Sequence, residues 1–283
     1  MRKTIRLFAC VFPTLLFGAS LAAQTPSPLP PAPKGFDKKR ENIPQGKVET
    51  IEYDSKAVGT KRKMVIYSPP GIDAAGKVPV LYLLHGAGDD ETGWKMKGSA
   101  DVILDNLAAD KKIVPMLVVM PNGFAGKGGK GGKGGGGKSG GGNDAFEKDV
   151  LGDIIPYVES HYPVKANREN RAIVGLSMGG GQALRIGLKN LDQFASVGGF
   201  SSALFGNADL IKDGPDATKK LRLLWVSCGD KDSLFKGSEA FHTSLEKQQV
   251  PHTWHIDLGG AHTWQVWKND LYLISPMLFR EKK

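Results

Sequence analysis

The chain has 283 residues, 40% of them hydrophobic and 24% charged, so it carries enough apolar side chain for a full core and is not a disordered polymer. Its formal charge of +9 invites a nucleic-acid reading, but seven of those charges are Arg2, Lys3 and Arg6 at the start and Lys127, Lys130, Lys133 and Lys138 in one low-complexity tract. The rest is close to neutral and shows no basic face with interleaved aromatics, which excludes nucleic acid as the main partner.

Residues 1–23 have the layout of a secretory signal peptide: three basic residues, the apolar run Leu7 to Phe17, then the small residues Ala19, Ser20, Ala22 and Ala23. The run is short and broken by Pro13, so stable membrane insertion is not expected once the leader is removed, and the protein is expected in a periplasm or outside the cell. Cys10 belongs to this leader. That leaves Cys228 alone in the mature chain, without an internal disulfide, at the end of "LRLLWVSC" where a small buried residue is expected.

Residues 24–46 contain Pro26, Pro28, Pro30, Pro31 and Pro33 and read as an extended tether. From residue 47 to 283 one α/β domain is expected. Apolar runs at Met64 to Tyr67, Val78 to Leu84, Val114 to Met120, Arg171 to Gly175 and Leu221 to Ser227 have strand length. Helical spacing appears at Ala145 to His161, Met178 to Lys189, Ser238 to Gln248 and Trp264 to Ile274. The alternation predicts a doubly wound, mostly parallel sheet. "GKGGKGGKGGGGKSGGG", residues 126–142, holds nothing that could build a core and reads as a mobile insert.

The chemistry lies in "RAIVGLSMGGGQAL". Ala172 to Val174 end a strand, Gly175-Leu176-Ser177-Met178-Gly179 makes G-x-S-x-G, and a helix follows. This strand, sharp turn and helix present a serine above the sheet as a nucleophile, and the Met178 N–H at the helix start is placed for a developing oxyanion.

A serine hydroxyl needs a base, and the fold's chain order of Ser, acid, His puts both partners downstream. Of His242, His252, His255 and His262, the first lies in a helical pattern and the next two in the strand-like "HTWHIDL". His262 follows "LGGA", where two glycines let a loop approach closely, and it is the expected base. The acid should follow "LRLLWVS", and "CGDKDSLF" offers Asp232 on the turn, with Asp230 as an alternative that shapes the turn itself. Asp213 and Asp216 are more distant. The second oxyanion donor is expected from the loop after "VPVLYLLHG", with Ala87 favoured over Gly88 and His85 ordering the loop. Trp94 and Trp264 flank these loops and are expected to bind substrate, whereas Trp267 is as readily a packing residue.

"LYLLHGAGDDETGW", "VVMPNG", "FEKDVLGDIIPYVESHYPV", "RAIVGLSMGGGQAL", "FASVGGFSSA", "CGDKDSLF" and "GGAHTWQVW" run in order from about Tyr82 to Trp267. Together they resemble the esterase D-like family, especially its feruloyl and acetylxylan esterase branch, carbohydrate esterase family one. The resemblance implies an α/β-hydrolase fold, a Ser177, Asp232, His262 triad, and acyl esters as substrates, often ferulate or acetate on plant-type polysaccharide, and the stretch between Ser177 and Asp232 leaves little room for a large lid. The glycine and lysine tract replaces a loop that in relatives lies near the acyl pocket.

The expected mechanism passes through an acyl-enzyme cleared by water, without cofactor or metal, as no Cys/His cluster has ligand spacing. An acyltransferase, passing the same acyl group to a sugar or lipid alcohol, is the nearest alternative. A non-catalytic carbohydrate-binding module is the other.

Overall fold

The computed structural model describes residues 29–72, 76–125, 140–204 and 210–280. The expected leader, residues 24–28 of the tether and residues 126–139 of the insert lie outside the described residues.

Eight strands form one sheet: β1 (Lys47–Ser55), β2 (Thr60–Ser68), β3 (Val80–Leu84), β4 (Leu117–Pro121), β5 (Arg171–Leu176), β6 (Ser196–Phe200), β7 (Leu223–Gly229) and β8 (Thr253–Asp257). Their order is β1-β2-β4-β3-β5-β6-β7-β8. β2 runs antiparallel to both β1 and β4, and every pairing from β4 onward to β8 is parallel. The α/β class read from the alternation of runs is therefore present.

β3, β4 and β5 are buried along their whole length, which is why they read as continuous apolar runs, and β6 is equally buried. Side-chain alternation still sorts them into two cores. Tyr82, Leu84, Val119 and Ile173 pack against one helical layer, and Leu81, Leu83, Val118, Ala172 and Val174 against the other.

The first layer contains α2 (Gly140–Asp149), α3 (Ile155–His161), α4 (Ser177–Lys189), the short α5 (Gly214–Lys220) and α6 (Phe235–Lys247), and the second contains α1 (Ala100–Ala109) and α7 (Trp264–Ile274). The single helix expected from Ala145 to His161 is split by a π turn at Val150–Ile154. Pro156 supplies no N–H and its ring crowds the carbonyl four residues back, and the widened turn absorbs both effects.

Two polar fastenings set what surrounds the site. The Arg62 guanidinium on β2 donates to the carbonyls of Asn122 and Phe124, holding the loop after β4, while its Nε lies 2.9 Å from Asp149 Oδ2. Tyr53 donates to the same carboxylate at 2.8 Å.

The proline-rich segment, read as an extended tether, is the second case, and its described part packs on the domain. In its described part Phe36 is buried against Tyr272, the Asn106 amide donates to the carbonyls of Phe36 and Lys38, and Lys268 pairs with Asp37. An aromatic residue amid the prolines gives this stretch something to bury, so it straps across α1 and α7.

Candidate active site

β3 and β5 are neighbours, with Leu84 opposite Gly175, yet the chain leaves them toward opposite sides of the sheet. Where strand order reverses in this way, the loops at the carboxyl ends part and leave a crevice. Ser177 stands there as the first residue of α4, partly exposed, with φ of 51°. That left-handed backbone costs a non-glycine residue about 1–3 kcal/mol and is held by what surrounds it. A Cβ on Gly175 would fall 2.3 Å from the Gly179 carbonyl oxygen, and one on Gly179 would fall 2.4 Å from that of His85. Only glycine lets strand, turn and neighbouring loop close to this distance.

The imidazole arrives from the other end of the sheet. After β8, Gly260 donates to the Asp257 carbonyl at 3.0 Å and its own carbonyl accepts from Lys231 at 2.8 Å, so the loop bearing His262 is clamped to the loop bearing Asp232. His262 Nε2 lies 3.0 Å from Ser177 Oγ, and Nδ1 lies 2.7 Å from Asp232 Oδ2.

With the carboxylate as acceptor, Nδ1 carries the proton and Nε2 is left to accept from the serine hydroxyl. Asp232 is buried, and its other oxygen accepts the Leu234 N–H at 2.8 Å. Trp267 packs edge-on against the His262 ring at 4.8 Å. The structure thus brings Ser177, His262 and Asp232 into one hydrogen-bonded chain. The alternative, Asp230, turns away to accept the Gly259 N–H at 2.7 Å, which shapes the histidine loop.

The loop His85 to Gly88 lies against the serine: a Cβ on Gly86 would come 3.3 Å from Ser177 Cβ. Ala87 is exposed at its tip, and Met178 opens the helix whose first N–H groups have no intrahelical acceptor. His85 orders this loop. Its Nδ1–H donates to the Gly86 carbonyl at 2.8 Å and its Nε2 accepts the Gly123 N–H at 2.9 Å, an arrangement that requires a neutral ring. Burial pushes its pKa below the ordinary imidazole value, in the same direction.

Gln182, buried on α4, donates to the Gly123 carbonyl at 3.1 Å and completes the tie between these loops. It was not anticipated, although a polar residue on the buried side of the helix that follows the serine was a signal for it.

The structure corrects one predicted site residue. Trp94 is fully buried, its indole N–H donates to the Leu84 carbonyl at 2.9 Å, and its ring meets Phe200 and Trp264 edge-on. It is a floor beneath the site and has no face for a substrate, because an indole whose N–H finds a backbone acceptor is more stable inside than out. Trp264 is partly exposed and packs on Trp94 and Trp267 at 5.2 and 5.4 Å. The remaining downstream histidines stand apart: His242 and His252 bond to each other at 2.7 Å, and His255 lies buried against Trp225. Burial pushes the Cys228 thiol up to about 12, which leaves it inert.

A family model described as "Putative esterase" matches residues 55–278. An endo-1,4-beta-xylanase/feruloyl esterase of Xylanibacter ruminicola is 31% identical over 262 residues, covering 89% of this chain and 34% of that protein. An esterase of Mycobacterium tuberculosis is 28% identical over 176 residues, covering 62% of this chain and 35% of that protein. The chain therefore spans about a third of the length of these two relatives. Among solved structures, a CE1 ferulic acid esterase of Anaeromyces mucronatus, in complex with ferulic acid, superposes with a TM-score of 0.76 at 27% identity, covering 88% of this chain and 96% of that one.

Proposed function

The chain belongs to this esterase family, and from that membership and the site geometry we propose that it is a serine carboxylic-ester hydrolase that removes feruloyl or acetyl groups from polysaccharide. The observation that carries this reading is the chain of hydrogen bonds from Ser177 Oγ through His262 to the buried Asp232, at 3.0 and 2.7 Å.

In the proposed reaction His262 takes the Ser177 proton as Oγ attacks the ester carbonyl, and the Met178 and Ala87 amides hold the oxyanion. His262 then gives its proton to the departing alcohol. Water repeats the sequence on the acyl-enzyme and releases the acid. Asp232 keeps the proton on Nδ1 and stabilises the imidazolium that forms.

The partly exposed Ser177 and exposed His262 favour a substrate too large to be enclosed. The acyl group is assigned from the ferulate-processing relatives. The leader-like residues 1–23 suit export to where such polymers are found, and no helix among the described residues is long and apolar enough to cross a membrane.

The test is release of free acid from feruloylated and acetylated xylan, measured chromatographically beside methyl ferulate and a p-nitrophenyl acetate control. Acid release by the native protein, its loss in Ser177→Ala, and a fluorophosphonate adduct mapped to Ser177 are expected. Turnover unchanged in Ser177→Ala would overturn the proposal.

A further inference from the structure

Below the loop that carries His262, the sheet face covered by α7 changes character. Elsewhere that face is apolar, but β7 presents Trp225 and Ser227, β8 presents His255 and Asp257 beside them, and α7 brings in Asp270. Asp270 and Ser227 are fully buried and His255 is 8% exposed.

Six atoms here close no hydrogen bond of good geometry among the described residues: Trp225 Nε1, Ser227 Oγ, His255 Nε2, Asp257 Oδ2 and both oxygens of Asp270, with the Ser227 hydroxyl and the Trp225 indole facing the Asp270 carboxylate. Buried polar groups are normally paired, and a wholly buried carboxylate that faces only a hydroxyl and an indole N–H, with no cation beside it, is a costly exception. The contrast within this protein is plain, since Asp149 and Asp232, equally interior, each hold a cation or an N–H.

The unsatisfied atoms converge. His255, Asp257 and Asp270 each offer one ligand atom, all within 4.8 Å of one another. Atoms bound to one cation at about 2.0–2.4 Å stand no more than roughly 4–4.8 Å apart. His255 Nε2 and Asp257 Oδ2, at 3.6 Å, are too far apart for a hydrogen bond and well separated for two ligands of one ion.

Two carboxylates and a neutral imidazole balance a divalent charge, and the imidazole favours a transition ion over calcium or magnesium. Outer contacts are also in place: Asn269 donates to Asp257 Oδ1, and its own carbonyl oxygen accepts the Ala32 N–H.

We propose that His255, Asp257 and Asp270 form a buried site for one divalent transition-metal ion of the zinc or manganese class. Its role is structural. None of the three residues belongs to the Ser177, His262, Asp232 chain, but the Asp257 carbonyl accepts the N–H groups of Gly260 and Asp230, the two loops that position the imidazole and its acid. A cation tying Asp257 to α7 pins the base of both. No sequence motif announces the site, because two ligands alternate on a strand and the third comes from a helix.

The test uses the untagged full chain, stripped with EDTA, dialysed, and equilibrated separately with Zn²⁺, Mn²⁺ and Co²⁺. Metal per chain is read by mass spectrometry after gel filtration, and Tm by calorimetry. About one ion per chain is expected, with Tm raised by about 5–10 °C at free metal a hundredfold above Kd.

Asp270→Asn and His255→Gln should each abolish both effects, and the two variants guard against one of them misfolding. His242→Ala, which breaks the His242–His252 pair, should keep them. No uptake above that of the Asp270→Asn and His255→Gln variants, uptake retained in both, or uptake lost in His242→Ala instead would each overturn the proposal.

Discussion

Asp232→Asn tests the site at its least exposed point. The asparagine can keep its Oδ1 on the Leu234 N–H, so the turn should survive, but an NH₂ group then faces His262 Nδ1 across 2.7 Å. Two donors cannot share that contact. The ring is driven to the tautomer with its proton on Nε2, the atom 3.0 Å from Ser177 Oγ, and the serine loses its acceptor.

Because the Asp232 side chain is fully buried, water does not replace the lost carboxylate, and the imidazolium formed during attack is left without its counter-charge. Errors of tautomer and charge at such a position cost about 10⁴ in kcat, which corresponds to about 5 kcal/mol of barrier. Initial rates of p-nitrophenyl acetate hydrolysis, normalised to folded protein by a thermal melt, measure this.

Asp230→Asn is the matched control. It weakens the contact to Gly259 and removes the exposed pairing with Lys231, and should stay within about tenfold of the native rate, at a stability loss of about 1 kcal/mol. A loss under tenfold in Asp232→Asn, with Ser177→Ala inactive, would mean that another group orients the imidazole. A larger loss in Asp230→Asn would reverse the assignment of the acid.

Asp149→Ala should destabilise the fold by about 3–5 kcal/mol in urea unfolding, because it strands the buried Arg62 guanidinium and the Tyr53 hydroxyl. Replacing the pair together by Arg62→Met and Asp149→Leu should cost less, and equal costs would refute the ion-pair account. The lowered pKa of His85 means that the unfolded chain takes up its proton first, so this contribution to stability is full above about pH 6.5 and is lost as pH falls through the folded value. Tm followed from pH 8 to pH 4 should therefore fall less steeply below pH 6.5 in His85→Gln than in the native protein, and coincident slopes would refute it. The Cys228 thiol, pushed up to about 12 by burial, should react with a disulfide reagent only on unfolding, and peptide mapping of a rapidly labelled native protein at Cys228 would show otherwise.

Much of the fold was legible where one element satisfies its own pattern. β3, β4 and β5 are buried on both faces and read directly as apolar runs. β1 did not, because it is an edge strand whose exposed positions carry Lys47, Thr50, Glu52 and Asp54 among its apolar residues. β6 is short and two of its five residues are glycine, so its strand character comes from its place between β5 and β7. The π turn before Pro156 was implicit in the proline, but helical periodicity ran through it unbroken.

The same division separates the parts of the site. Ser177 was legible because the constraint lies within five consecutive residues, and His262 and Asp232 because chain order and glycine placement narrowed the choice. Trp94 was misread because its fate depends on a carbonyl ten residues away that only the folded sheet brings under the indole.

Gln182 and Arg62 escaped for a related reason. Each satisfies backbone groups of the loop after β4, and that demand is invisible until β4 ends beside β2 and β3. The cluster of His255, Asp257 and Asp270 is the extreme case, since three residues that look like two strand polars and a helix polar acquire a shared chemistry only when α7 closes over β7 and β8. Positions whose role is fixed by local geometry are thus readable from the chain. Those fixed by an unmet hydrogen bond or charge are not, because the shortfall comes into being only when packing removes water.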